Sequence, residues 1–338
     1  MWLSIANYIR HFLAKHPQGW HPMLAVYYLN YDCDFRCPFC SDGAKRPYHT
    51  LKSPLLDGPQ VIDLLKTIRR YSDYLVITGG EPTKHPQLPY VLDKLSSCNF
   101  DGVVFTTNGY DLELHLDKVA KSIDYLVFSL ETLDEEKADQ YWGVPGAQKK
   151  ILEVIEKAKN HPQRKYEIII SSLALPDNLK DLYAVYDYCL QEDFRLALCP
   201  QLVGVKAHED LHDNEDYVAI WNHLLAGKKE GKAVNGTTLY LEHMRDLRKF
   251  TCHPSTVLAV SPMGDVFYPC LERGHIAGNL CENPDLHEIR KLGQKLHGPE
   301  PDCDNRCHSA CALGLSLILE YPSSLLSESY YELKGLLR

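Results

Sequence analysis

At 338 residues and a net charge of −9, the chain is long enough for one large α/β domain with an appendage, or for two ordinary domains. Its apolar fraction of 45% and charged fraction of 24% are those of a globular protein, and the negative balance argues against a broad nucleic-acid-binding face while leaving room for a local basic patch. No stretch reaches the roughly 20 apolar residues that span a bilayer. The best run, 310–319, is interrupted by Cys311, Gly314 and Ser316.

The first 23 residues place Trp2, Ile5, Ile9, Phe12 and Leu13 at helical spacing. They predict an amphipathic helix over 1–23, packed on the body of the protein or docked on a membrane surface or partner. This segment lacks the long apolar core and small-residue cleavage site of a signal peptide, so the expected location is cytoplasmic. Twelve cysteines in that setting argue against a disulfide framework.

From residue 24 short apolar runs alternate with longer periodic segments. The runs, at 24–30, 74–80, 102–108, 125–131, 166–174 and 195–201, are rich in β-branched and aromatic residues and too short for helices. Between them, Val61, Leu64, Leu65 and Ile68 mark one helical face, and Val154, Ile155 and Ala158 a second. Leu179, Leu182, Val185, Tyr186 and Cys189 mark a third. Strand alternating with helix implies βαβ units and a parallel sheet, here a partial (β/α)6 TIM-like barrel. Such barrels put their sites at the carboxyl ends of the strands.

Cysteines stand after the first predicted strand, in Cys33-Asp34-Phe35-Arg36-Cys37-Pro38-Phe39-Cys40. Three thiolates in one short loop can hold three irons of a cubane and leave the fourth open, whereas a structural zinc closes its coordination with four ligands. A zinc site borrowing a ligand from elsewhere is the local alternative. The second strand ends in Gly79-Gly80-Glu81-Pro82, where glycines allow close backbone approach and Glu81 can accept hydrogen bonds from an ammonium group. Asn108 and Ser129 end the third and fourth strands, as ligand contacts or as helix caps. Glu131, Ser171 and Ser172 are weaker candidates of the same kind.

The CxxxCxxC loop, with an aromatic residue before its last cysteine and a GGEP turn forty residues on, resembles the radical S-adenosylmethionine (SAM) superfamily. The resemblance covers roughly residues 24–240. It implies a [4Fe–4S] cluster on Cys33, Cys37 and Cys40 and reductive cleavage of SAM to a 5′-deoxyadenosyl radical. It also implies SAM contacts from Gly79, Gly80, Glu81 and Pro82, with Phe39 near the adenine.

Past residue 240 the chain turns loop-rich, with Cys252, Cys270, Cys303, Cys307 and Cys311. Gly264-Asp265 predicts a hairpin turn ahead of Tyr268-Pro269-Cys270. With the GNL segment at 278–280 and the terminal cysteine group, this stretch resembles the auxiliary-cluster modules called SPASM and twitch. Five well-placed cysteines, or six with Cys281, are too few for the two clusters of a full SPASM module. The resemblance therefore implies one auxiliary [4Fe–4S] cluster, on Cys252, Cys270 and two of Cys303, Cys307 and Cys311. A structural zinc is the alternative. Cys98, Cys189, Cys199 and Cys281 read as small buried hydrophobes.

The expected division is a helix over 1–23, a radical SAM core over 24–240, an auxiliary module over 241–314 and a helical tail over 315–338. The expected activity is radical oxidation or rearrangement of a small metabolite, hydroxylated or sugar-like, supplied with electrons by a flavodoxin or ferredoxin. Bond formation on a peptide or a lipid is the runner-up; the short stretch ahead of the first strand leaves no room for a winged-helix peptide-recognition domain. A non-catalytic iron–sulfur or zinc protein is the alternative from another class. Tyr31, Tyr141, Trp142 and His208 lie near strand ends as candidates for substrate contact, with a plain surface position as the other reading of His208. No residue is assigned as the catalytic acid or base.

Overall fold

The computed structural model describes residues 21–300 and 307–324. The amphipathic segment expected over 1–23 falls almost wholly outside them, as do Cys303 and the tail beyond 324.

Six parallel strands form where the apolar runs predict them. They are β1 (Leu24–Tyr28), β2 (Tyr74–Thr78), β3 (Gly102–Thr107), β4 (Tyr125–Ser129), β5 (Glu167–Ala174) and β6 (Arg195–Pro200). Helices α1 (Gly58–Arg69), α2 (Leu88–Leu95), α3 (Leu116–Ser122), α4 (Glu135–Trp142), α5 (Ala147–Lys159) and α6 (Asp181–Glu192) make the crossovers. Each periodic face named from the sequence is buried: Val61, Leu64, Leu65 and Ile68 are at most 2% exposed and pack with the strands in the main core. Burying such a side chain is worth about 1.5–3 kcal/mol. Asp57 and Gln60 exchange side-chain bonds at 2.9 Å as a capping box at the start of α1, and caps of this kind contribute about 1 kcal/mol.

A short antiparallel pair, β7 (Leu202–Val203) and β8 (Lys206–Ala207), follows β6, and helices α7 (Glu215–Lys229) and α8 (Thr238–Arg245) come next. The loop-rich region then returns to the sheet. Strand β9 (Val257–Val260) pairs in parallel with β1, and β10 (Asp265–Tyr268) and β11 (His275–Asn279) continue it as an antiparallel meander. The result is one nine-stranded sheet in the order β11-β10-β9-β1-β2-β3-β4-β5-β6. It is an open, partial barrel of the expected α/β class. The parallel strand β9 was not legible in the sequence, because VLAV is only four residues long and stands in a loop-rich context.

The two faces of the sheet differ. In β6, Leu196, Leu198 and Pro200 are buried, whereas Arg195, Ala197 and Cys199 are half-buried; β4 alternates in the same way. Full burial is thus reached only on the outer, helix-covered face. At the amino-terminal end of the inner face, Leu24, Val26, Tyr74, Val76 and Val257 pack on Leu315, Ile318 and Leu319 of helix α10 (Ala310–Glu320). Helix α10 therefore plugs one end of the partial barrel and leaves the carboxyl ends of the strands for chemistry. Helix α9 (Leu286–His297) packs on β11, with Gly278 close under Ile289.

Candidate functional site

The three-cysteine loop leaves the carboxyl end of β1 and is fastened to the turn after β2. Gly80 N donates to Asn30 O at 2.9 Å and Glu81 N to Asp32 O at 2.7 Å, while Asn30 Nδ2 returns a bond to Glu81 O at 2.9 Å. A side chain has no room at either glycine. A Cβ on Gly79 would meet Asn30 O at 2.4 Å, and one on Gly80 would meet Asp32 O at 2.3 Å. The glycines give close backbone approach, as the sequence predicts, and the group that approaches is the base of the cysteine loop itself.

From the other side the loop leans on the end of α4. Phe35 stacks on Trp142 with ring centroids 5.4 Å apart, Arg36 N donates to Trp142 O at 2.9 Å, and Phe39 meets Tyr141 edge-on at 5.7 Å. Trp142 in turn donates its indole N–H to the buried Glu131 at 3.0 Å. Tyr141 and Trp142, expected near substrate, here brace the loop. Phe39, expected near an adenine, packs on Tyr141. His208 accepts from Asp210 N in a short surface turn.

Glu81 is buried and knits three segments together. Its Oε1 accepts from Thr107 Oγ1 at 2.7 Å and from Thr83 N at 3.0 Å, and its Oε2 accepts from Asn108 N at 2.7 Å. Burial pushes its carboxyl above the ordinary range, and these three bonds oppose the push. Pro82 opens the short helical turn that follows. Since a carboxylate oxygen accepts two bonds, Oε2 retains room for one more donor, such as an ammonium proton.

Asn108 turns its carboxamide toward the loop. Nδ2 donates to Asp34 Oδ1 at 2.9 Å and lies 3.9 Å from Cys33 Sγ, while Oδ1 accepts from Tyr110 N at 2.9 Å. Asn108 thus closes its own turn and also reaches the cysteine loop. Ser129 is half-buried at the carboxyl end of β4, in register with Ser171. Ser172 points the other way and donates to Leu130 O at 2.6 Å. Asp34, Lys84 and Asp111, which sequence reasoning passed over, join at this same corner. The signal was faint, a charged residue inside the cysteine loop and another three residues past Glu81.

Burial raises all three thiols of the loop. Burial raises the Cys33 thiol to about 12, with Glu81, Asp34 and Cys40 adding to the rise and the Phe35 N–H opposing it. Cys37 is raised by burial and then by Glu131, Cys40 and Cys33. Cys40 is raised by burial and by Glu131, and three thiols held in one short loop suit a three-thiolate cluster site. Among the described residues no three His, Cys, Asp or Glu side chains are arranged around a single ion.

The C-terminal cysteines stand on several elements. Gly264 makes the predicted turn with φ +89°, and Cys270 follows β10. Glu272, two residues on, accepts from Ser309, two residues before Cys311 at the start of α10. Cys252 is brought alongside the same helix by the bond from His253 N to Ser316 Oγ at 2.9 Å. Of the scattered cysteines, Cys98 and Cys189 are buried as expected. Cys281 is exposed, because it stands in the turn after β11, and Cys199 is half-buried on the inner face of β6, 3.7 Å from Tyr240 Oη.

Comparison with known proteins agrees with this geometry. Residues 27–189 match the model of the radical SAM superfamily. A probable GTP 3′,8-cyclase of Methanococcus maripaludis is 25% identical over 166 residues, covering 46% of this chain and 51% of that protein. The GTP 3′,8-cyclase of Actinobacillus pleuropneumoniae is 29% identical over 172 residues, covering 48% and 49%. The 7-carboxy-7-deazaguanine synthase of Halobacterium salinarum is 29% identical over 123 residues, covering 35% and 45%. The chain spans about half the length of the curated relatives it matches. In fold it is similar to SuiB of Streptococcus suis bound to S-adenosylmethionine, with a TM-score of 0.66, 17% identity and coverage of 94% and 78%. It is also similar to anSMEcpe with bound AdoMet, with a TM-score of 0.59, 15% identity and coverage of 91% and 99%.

Proposed function

Residues 27–189 place this chain in the radical SAM superfamily, and from that premise we propose that it oxidises or rearranges a small, hydroxylated metabolite held inside the partial barrel. The cluster, when bound, supplies the electron that cleaves SAM to methionine and a 5′-deoxyadenosyl radical, which takes a hydrogen from the substrate. Cys33, Cys37 and Cys40 hold it, and their place in one short loop at the carboxyl end of β1 fits that role. Gly79, Gly80, Glu81 and Pro82 bind the amino end of SAM, with Glu81 Oε2 as the acceptor that has capacity left. Ser129 and Asn108 line the same rim, and Phe39 lies near the adenine.

The observation that carries the substrate class is the inner face of the sheet. Thr78, Thr106, Ser129, Ser171 and Cys199 present small polar groups there, all half-buried, while α10 closes the amino-terminal end. A face closed at one end and carrying these hydroxyls among Val76, Val104, Val127 and Leu173 suits a compact polar molecule. The sequence relatives point the same way, since the cyclases and the deazaguanine synthase are named for small heterocyclic compounds. We assign the module over 241–314 one auxiliary [4Fe–4S] cluster, on Cys252 and Cys270 with two of Cys303, Cys307 and Cys311. Held there, it would supply an acceptor for the electron left when a substrate radical becomes a carbonyl or alkene. A flavodoxin or ferredoxin reduces the first cluster.

Anaerobic reconstitution, iron counting and a dithionite-driven SAM-cleavage assay test this reading. About eight irons per chain with 5′-deoxyadenosine formed is the expected result. About four irons with cleavage retained removes the auxiliary cluster and favours zinc in the C-terminal module. No 5′-deoxyadenosine from fully loaded protein, with or without a panel of polyols, sugars and nucleosides, overturns the proposal. Stimulation by short peptides alone transfers it to peptide modification.

A further inference from the structure

The corner where the cysteine loop meets β3 carries a charge arrangement that the proposed chemistry has not yet used. Asp34 lies within the cysteine loop, next in sequence to Cys33. Its Oδ2 has no aligned hydrogen-bond donor and instead faces Lys84 Nζ at 3.0 Å as an ion pair. Lys84 stands at the end of the turn opened by the GGEP segment, and its ammonium is shared with Asp111 at 2.8 Å. Asp111 has a second cation, Lys150, at 3.1 Å, and Lys150 also sits 3.6 Å above the Tyr110 ring. Lys84 is thus drawn inward to a position only 28% exposed, although Asp111 is already served by another lysine.

We propose that Lys84 is a positioning residue that sets the reduction potential of the first cluster, by neutralising Asp34 beside Cys33 and holding it in place. The inference rests on the three-cysteine loop carrying that cluster. A cluster ligated by thiolates gains negative charge on reduction, so a bare carboxylate next to it opposes the incoming electron. Pairing the carboxylate with an ammonium removes most of that opposition. Asn108 completes the arrangement by donating to the other Asp34 oxygen while lying against Cys33 Sγ. The hydrogen bond to Asp111, ahead of the contacts with Asp34, pushes the Lys84 ammonium above its ordinary value, and so it stays charged throughout the neutral range. Burial lowers His115, which also feels Asp111, from its ordinary value.

The test is potentiometric titration of the reconstituted full chain, read by the electron paramagnetic resonance signal of the reduced cluster. Lys84→Met should lower the midpoint by the equivalent of roughly tenfold in the reduction equilibrium, about 59 mV for one electron. Lys84→Arg should keep the wild-type value, Asp34→Asn should raise it, and the double variant Asp34→Asn/Lys84→Met should return toward wild type. An unchanged midpoint in Lys84→Met with full iron content overturns the proposal. So does a double variant that behaves like Lys84→Met, since the effect then does not run through Asp34. If Lys84→Met cannot retain a cluster, an unmoved midpoint in Asp34→Asn is the overturning result. Wild-type protein that takes up no reducible cluster would instead overturn the functional reading beneath it.

Discussion

Trp142 joins the buried Glu131 to the cysteine loop: its indole N–H donates to Glu131 Oε2 at 3.0 Å, and its carbonyl accepts from Arg36 N at 2.9 Å. Its ring also stacks on Phe35 at 5.4 Å. A carboxyl at the end of β4 thereby fixes the wall on which the loop rests. Asn178 Nδ2 secures the same position from α6's side, donating to Glu131 O at 2.9 Å.

That carboxyl makes stability depend on pH. Burial raises Glu131 to about 7, against the opposing bond from Trp142. Between about pH 4.5 and 7 the unfolded chain has lost this proton while the folded chain still holds it, so folding is weakened as pH rises through that window. The loss amounts to roughly 3 kcal/mol. Glu131→Gln keeps an acceptor for Trp142 and has no proton to lose. Urea midpoints of the metal-free protein should therefore fall from pH 5 to 7.5 in the wild type and stay flatter in the variant. Equal slopes would refute the assignment of this pH dependence to Glu131.

Much of this was legible in the sequence. The six parallel strands, their helices and the clustering of Cys33, Gly80, Glu81 and Asn108 at strand ends follow from periodicity and from the rule that places sites there. The brace was not. Tyr141 and Trp142 lie near a strand end, and nothing local tells whether such an aromatic faces a substrate or backs a loop; only the stacking partner Phe35, over a hundred residues away, decides it. Strand β9 escaped for a related reason, since its four residues gain strand character from pairing with β1. Likewise the inward turn of Lys84 depends on Asp34 and Asp111, which are distant in the chain.

The glycine pair offers a sharper test of the loop's seating. In Gly80→Ala the new methyl would lie 2.3 Å from Asp32 O and 2.5 Å from Tyr31 O, both backbone atoms that cannot swing aside. The cysteine loop must shift, and with it the bonds from Gly80 N and Glu81 N. SAM cleavage should fall at least tenfold, with fewer irons retained per chain, while far-ultraviolet circular dichroism stays close to wild type. Wild-type cleavage in this variant would mean that the loop tolerates displacement.

Cysteine replacements separate the two proposed clusters. Cys40→Ala should abolish 5′-deoxyadenosine formation, because the loop then lacks one of its three thiolates. Cys270→Ala should leave uncoupled SAM cleavage largely intact and stop product formation. Loss of both activities in the second variant, with the protein still folded, would make the C-terminal module structural rather than an electron acceptor.

Asn108 separates loop support from cofactor contact. Both ends of its carboxamide are engaged within the protein, Nδ2 on Asp34 and Oδ1 on Tyr110 N. In Asn108→Asp the donor becomes an acceptor and faces Asp34 Oδ1 at the same short range, so two carboxylates repel beside Cys33. Asn108→Ala loses the bond without adding repulsion. Cluster retention should therefore fall in the order wild type, Ala, Asp, and SAM affinity of whatever holoprotein survives should change less than threefold. If instead both variants keep their iron and lose SAM binding by tenfold or more, the side chain must leave Asp34 to meet the cofactor, and loop support passes to Lys84 alone.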